Sequence, residues 1–311
     1  LSFIEVTNLS SQEKRWRVLS ASQVVAISFA AVILTGTLLL MLPIASVSGT
    51  SCGFLPALFT ATSATCVTGL IVVDTLTAWT LFGQVVIILL IQLGGLGFMT
   101  IIFLMALLVK RKLSLSQRLM AVSTFNLNDM GDIARLVRGA LKTTFAFEGN
   151  GALILTICFW PRHGVAAIWK GVFTSISAFC NAGFDIFGTE KIGSLSTYDD
   201  NPVGLLTVPI LIACGGLGFF VWEDVKRKRR WKRLALYSKM VIVMTLFLLA
   251  FGTAFFLLSE YDNAGTMASM PFGQSLLNAL FQSTTLRTAG FYSISQGART
   301  DISIVMCIIL M

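Results

Sequence analysis

Phe59–Leu70, FTATSATCVTGL, decides the fold, because the chain contains it more than once. Shifted by 114 residues, Phe173–Phe184 reads FTSISAFCNAGF, with Phe59/Phe173, Thr60/Thr174, Ser63/Ser177, Ala64/Ala178, Cys66/Cys180 and Gly69/Gly183 identical. A third copy, Phe281–Phe291, reads FQSTTLRTAGF, with one residue fewer between its Phe and its Gly. Small and hydroxyl residues leading into a glycine predict a short helix, then a segment whose backbone carbonyls line a narrow path. Ion filters are built from such carbonyl rings.

The surrounding composition fits a lipid setting. Of 311 residues 55% are hydrophobic and 12% charged, with a mean hydropathy of +0.82, whereas a soluble domain carries about 25% charged residues. One histidine and six scattered cysteines, without paired Cys or Cys/His spacing, speak against a structural zinc site or a disulfide scaffold. Cys66 and Cys180 read as small packing residues behind the repeated turn. The net charge of +8 is not spread evenly: 18 of the 23 Lys and Arg lie in Lys14–Arg17, Lys110–Lys142 and Lys226–Lys239. Each cluster abuts an apolar run of spanning length, which marks cytoplasmic flanks and puts the N-terminus inside. Anionic membrane lipid or a cytosolic partner suits these clusters; nucleic acid does not.

Read in order, residues 1–20 form a polar cytoplasmic lead-in. The first repeat occupies 21–112, with a span at Gln23–Leu42, a re-entrant helix at Leu55–Ala64, the turn Thr65–Leu70 and a second span from Gly83 to Val109. A connector and second repeat fill 113–225: Ile133–Phe159, then Val165–Ser177, then the turn Phe179–Phe184, then Pro202–Trp222. A basic linker and an incomplete third repeat fill 226–311, with Leu236–Leu258, Phe272–Thr284, Leu286–Phe291 and the opening of a span at Asp301–Met311. About 20 apolar residues at ~1.5 Å rise cross a ~30 Å hydrocarbon core, whereas the short helices fit only as re-entrant elements covered by protein. The motif GGLGF recurs at Gly94–Phe98 and Gly215–Phe219 inside the second spans. Close helix packing is its ordinary reading, and pore lining the alternative.

TATSATCVTGL, SAFCNAGF and RTAGF together resemble the Trk, Ktr and plant HKT superfamily of potassium transporters, closest to the Ktr-type membrane subunit, including members tied to V-type sodium ATPase operons as subunit J. The resemblance covers nearly the whole chain. It implies an all-α membrane protein of parallel repeats, each a span, re-entrant pore helix, filter strand and span, around a pseudo-fourfold pore. The fourth repeat is absent from this chain, so the expectation is a piece of a longer protein or a product inactive alone. The resemblance further implies a multi-pass protein of a bacterial plasma membrane, a homodimer bound to cytosolic nucleotide-binding regulatory subunits, and potassium, with sodium as the other candidate, as the transported species. Glycine at each filter, Gly69, Gly183 and Gly290, goes with potassium preference in that family. No organic cofactor is expected.

A potassium ion leaves water only where oxygens replace its hydration shell, and backbone carbonyls do so without fixed charge. That task falls to Thr65, Cys66, Val67, Thr68 and Gly69 in the first unit. Phe179, Cys180, Asn181, Ala182 and Gly183 serve the second, and Leu286, Arg287, Thr288, Ala289 and Gly290 the third. The ion-contacting core is Thr68, Gly69, Ala182, Gly183, Ala289 and Gly290. Arg287 is expected to point behind the filter, bonded to the pore helix or an acid, because in the lumen its charge would repel cations. Asp74, Asp185 and Asp301 lie in or near the outer mouth; each alone reads first as an ordinary solvated loop acid, with raising of the local cation concentration as the alternative. Glu148 sits within a span, where an acid is costly unless paired or wetted; a polar helix end or neighbouring pore helix is its expected contact.

Other readings compete. No H-E-x-x-H, nucleophile elbow or phosphate loop is present, so the chain does not read as an enzyme. The glycine-rich segments lie inside apolar runs and do not match a dinucleotide fingerprint. A secondary carrier would be marked by inverted repeats, whereas these run in parallel. A sodium-selective conductor, a cation:cation symporter and a structural subunit of an ion-pumping complex are the remaining alternatives.

Overall fold

A computed structural model describes residues 21–97, 130–188, 193–268 and 270–311. The N-terminal lead-in, Phe98–Val109 with its basic end Lys110–Lys112, and the connector to residue 129 lie outside the described residues.

The described chain is helical. In the first unit, α1 (Ala21–Leu40), α2 (Phe54–Thr65), the single turn α3 (Thr75–Ala78) and α4 (Leu81–Gly95) follow one another. The second unit has α5 (Met130–His163), α6 (Ala166–Phe179), α7 (Pro202–Gly216) and α8 (Phe219–Lys228). The third has α9 (Leu236–Glu260), α10 (Phe272–Thr285) and α11 (Asp301–Leu310). Helix starts follow from local chemistry. Asp74 accepts from the Leu76 and Thr77 amides at 3.0 and 2.8 Å, and Asn201 accepts from Val203 and Gly204 beside Pro202, so donors without an intrahelical partner are satisfied at both starts.

In the first two units a short helix packs between two longer ones, α2 with α1 and α4 and α6 with α5 and α7; in the third, α10 packs on α9, which in turn meets α11. The units join in one direction round the molecule, because α4 packs on α6 and α7 packs on α10. Apolar and polar side chains share the interior, and many apolar ones also face outward. The short helices bury hydroxyl and amide side chains, among them Ser63, Ser175, Ser177, Gln282 and Thr284, while Leu38, Leu153, Ile157, Leu246 and Phe247 face outward. Apolar atoms outside and hydrogen-bonded polar ones inside suit a hydrocarbon solvent. Among the described residues, α9 is long and apolar enough to cross a membrane as one helix.

Two expectations are corrected. The second span of the second unit is not continuous, since α7 bends by 91° into α8; in the first unit α4 stops at Gly95, and residues 98–109 of that expected span lie outside the described residues. The cause is the last glycine of each GGLGF copy, Gly97 at φ +75 and Gly218 at φ +81, left-handed values that a residue with a Cβ rarely adopts. GGLGF is therefore a helix break as well as a packing motif. Nor are the filter segments strands. Among the described residues the sole β feature is an isolated bridge between Ser46 and Trp79, and each segment after a short helix is a turn followed by irregular backbone.

Candidate functional site

The three repeated turns share a backbone that composition does not reveal. Val67, Asn181 and Thr288 have φ of 56, 57 and 67, and two residues later Gly69, Gly183 and Gly290 have φ of 76, 71 and 79. The intervening Thr68, Ala182 and Ala289 keep negative φ. Alternating handedness turns successive peptide groups the same way, so that amides share one side of the ribbon and carbonyls the other. The helix ends brace this shape. The Thr68 and Ala182 amides reach back to the Ser63 and Ser177 carbonyls at 2.9 and 2.8 Å, and the Ala289 and Gly290 amides both reach Thr285. Helix hydroxyls add to it: Ser177 donates to the Phe184 carbonyl at 2.7 Å, Thr285 to Phe291 at 2.6 Å, and Thr68 to Ser63 Oγ at 2.9 Å.

The turns meet one another. A methyl group added at Gly69 would lie 2.5 Å from the Ala182 carbonyl oxygen and 3.4 Å from the Gly183 Cα. One added at Gly183 would lie 2.4 Å from the Ala289 oxygen and 3.2 Å from the Gly290 Cα. Three glycines, successive ones 114 and 107 residues apart in sequence, are thus gathered together. A cavity of about 760 Å³ opens beside them, lined by Cys66, Val67, Thr68, Cys180, Asn181, Leu286, Thr288 and Gly290. Cys66 is exposed to it.

Not every candidate falls in the turns. Thr65 and Phe179 are the last residues of α2 and α6, not the first of the filter segments. Their carbonyls face the second helices: a Cβ on Gly94 would meet the Thr65 oxygen at 2.1 Å, and one on Gly215 the Phe179 oxygen at 1.8 Å. Gly95 admits the Cys180 side chain in the same way, its absent Cβ leaving room where Sγ would come to 2.5 Å. The first two glycines of GGLGF therefore seat the turns on the second helices. In the third unit Leu286 caps α10, and Arg287 is an extra turn residue before the left-handed Thr288.

The charged candidates separate. Arg287 points away from the cavity and donates to the Thr245 carbonyl in α9 at 2.7 Å, rather than to the pore helix or an acid. Glu148 in α5 is buried and accepts from Gln92 Nε2 at 3.0 and 3.3 Å, and from the Cys180 thiol at 3.9 Å. Above the turns, Asp185 follows Gly183 and accepts from the Phe187 amide at 3.2 Å. Burial foremost, with the Asp74 charge adding, pushes its carboxyl up to about 6, against the opposing effect of bonds from Phe187 and Ser194 and the charge of Lys170. Burial and these two acids also push the Tyr292 phenol up. Asp301 lies elsewhere, in the first turn of α11 behind its Thr300 cap.

Sequence reading missed Gln92, Lys170 and Tyr292 as members of this neighbourhood. Position 292 alone carried a signal, standing two residues past Gly290 as Asp185 stands past Gly183.

A family model described as TrkH, cation transport protein, matches residues 4–311. The chain is 40% identical over 294 residues to the potassium/sodium uptake protein NtpJ of Enterococcus hirae, covering 94% of this chain and 64% of that protein. It is 38% identical over 298 residues to the Ktr system potassium uptake protein B of Bacillus subtilis, covering 96% and 66%. It therefore spans about two thirds or slightly less of the length of these relatives. In fold it is similar to the crystal structure of the potassium transporter TrkH from Vibrio parahaemolyticus, with a TM-score of 0.62 at 15% identity over 95% of this chain and 57% of that one.

Proposed function

The chain belongs to the TrkH family of cation transport proteins, transporters rather than enzymes, and on that premise we propose that it carries potassium inward across a bacterial plasma membrane. The carrying observation is the meeting of Gly69, Gly183 and Gly290, each two residues past a left-handed Val67, Asn181 or Thr288. A dehydrated monovalent cation needs several oxygens at once and must be held loosely enough to leave. Carbonyls from three turns at one point meet both needs. Val67, Thr68, Gly69, Asn181, Ala182, Gly183, Thr288, Ala289 and Gly290 supply those oxygens. Cys66, Cys180, Leu286 and Arg287 close the helices and turns behind them, and Thr65 and Phe179 seat the turns on α4 and α7.

In the full assembly these turns form part of a pseudo-fourfold ring of parallel span, pore-helix and filter repeats, with the N-terminus on the cytoplasmic side. A homodimer, with nucleotide-binding subunits on the basic inner face, completes the proposal. Asp74 and Asp185 raise the cation concentration at the mouth.

The test is rubidium and sodium flux into vesicles reconstituted with the protein, wild type beside Gly69→Ser. A hydroxymethyl group at φ +76, facing the Ala182 oxygen, is expected to lower the rubidium to sodium ratio at least severalfold. An unchanged ratio removes Gly69 from the filter. A second reading, mixed potassium and sodium uptake, draws on the printed name of the Enterococcus relative; wild-type rubidium flux that sodium competes with at equal concentration would favour it.

A further inference from the structure

Glu148 is the one acid in the described part of α5 that is buried beside a filter turn, and the proposed path makes no use of it. Three attachments fix it. Gln92 of α4, 56 residues away in the chain, donates its amide to both carboxylate oxygens at 3.0 and 3.3 Å. The Cys180 thiol, 32 residues on, approaches Oε1 at 3.9 Å. The backbone carbonyl of Glu148 itself accepts from Ser175 of α6 at 2.7 Å, where Gly151 of α5 leaves room for the hydroxyl. One residue therefore connects the first unit's second helix, the second unit's short helix and the second filter turn.

We propose that Glu148 is a positioning residue for cation transport, acting through Cys180 to hold the second filter turn against α4 and to set the affinity of the path for a monovalent cation. The chemistry follows from its partners. An amide and a thiol are neutral donors, so the hydrogen bonds named here orient the carboxylate without cancelling its charge. A buried carboxylate away from water is costly unless an opposite charge lies close. A cation among the carbonyls of Asn181 to Gly183 supplies that charge when it is bound. The carboxylate in turn lowers the free energy of the ion-bound state relative to the empty one. Direct coordination is not needed: Cys180 stands between the acid and the turn, and a unit charge in a weakly screened interior acts across a side chain's length.

This inference rests on the filter reading above, and the experiment separates the two. Rubidium uptake is measured against external concentration in vesicles holding wild type, Glu148→Gln, Gln92→Leu and Gly69→Ser. Glu148→Gln keeps shape and hydrogen-bonding capacity while removing the charge, and is expected to raise the half-saturating rubidium concentration about tenfold with the maximal rate within about twofold. Gln92→Leu leaves the acid but frees it, and is expected to shift affinity in the same direction by a smaller factor and to lower the rubidium to sodium ratio. Wild-type affinity and ion ratio in both variants overturn the role of Glu148, as does a fall in maximal rate alone, the mark of simple misfolding. If those variants behave as wild type while Gly69→Ser changes the ion ratio, the positioning role fails and the filter stands. If Gly69→Ser leaves the wild-type ion ratio unchanged, the filter reading itself has failed.

Discussion

The second and third repeated turns follow the same trace and are supported in opposite ways. Both run from a left-handed residue, Asn181 or Thr288, to a left-handed glycine, and both tie the carbonyl of the following phenylalanine to a helix hydroxyl, Ser177 or Thr285. Behind the second stands an acid on a neighbouring helix, Glu148, reached through Cys180. Behind the third stands a base of its own, Arg287, bonded to the Thr245 carbonyl of α9. The glycines differ too. A methyl on Gly183 would strike the Ala289 oxygen of the third turn at 2.4 Å, whereas Gly290 has no following turn among the described residues to meet it. Backbone shape is what the repeats hold in common; the means of support is free to diverge.

The comparison breaks most readily at the glycines. Gly183→Ala combines a left-handed strain of ~1–2 kcal/mol with a backbone collision that side-chain motion cannot relieve. Rubidium flux is expected to fall more than tenfold. Gly290→Ala carries at least the same left-handed strain, and wild-type flux in either variant would show that the shared backbone shape is not required. Arg287→Met is expected to cost about 1.5–3 kcal/mol of stability, the size of a charge-assisted hydrogen bond left unmade at Thr245. Thermal unfolding in detergent should register this while the rubidium to sodium ratio stays near wild type.

Acidity probes the second turn without touching its backbone. Because the Asp185 carboxyl titrates near 6 rather than at the usual carboxylate value, it is ionised at neutral pH and loses its charge as external pH falls through about 6. The half-saturating rubidium concentration should rise by about two- to threefold between pH 7.5 and 5, and Asp185→Asn should abolish that dependence. The same raised value means that this group favours the fold most when protonated, so its contribution to stability declines as pH climbs from the ordinary carboxylate value towards 6. Smallest of all is Thr68→Val, which removes the hydroxyl bond to Ser63 peculiar to the first turn. About 0.5–1.5 kcal/mol of stability is the expected loss, with flux nearly unchanged.

The sequence by itself determined the membrane class, the three copies, their order, and the glycines at 69, 183 and 290, because repetition and apolar run length are written in one dimension. It also implied that Arg287 turns away from the path, since a cation there would oppose cation entry. Tertiary structure alone decided that Val67, Asn181 and Thr288 share the left-handed shape, since a β-branched residue such as Val67 or Thr288 takes it only when helix-end hydrogen bonds and close neighbours compensate its strain. It likewise decided that Thr65 and Phe179 aim their carbonyls at glycines of the second helices, that GGLGF breaks a helix, and that Gln92 finds Glu148 across 56 residues. Each of these depends on which surfaces meet when the units close on one another, and local propensity carries no record of that meeting.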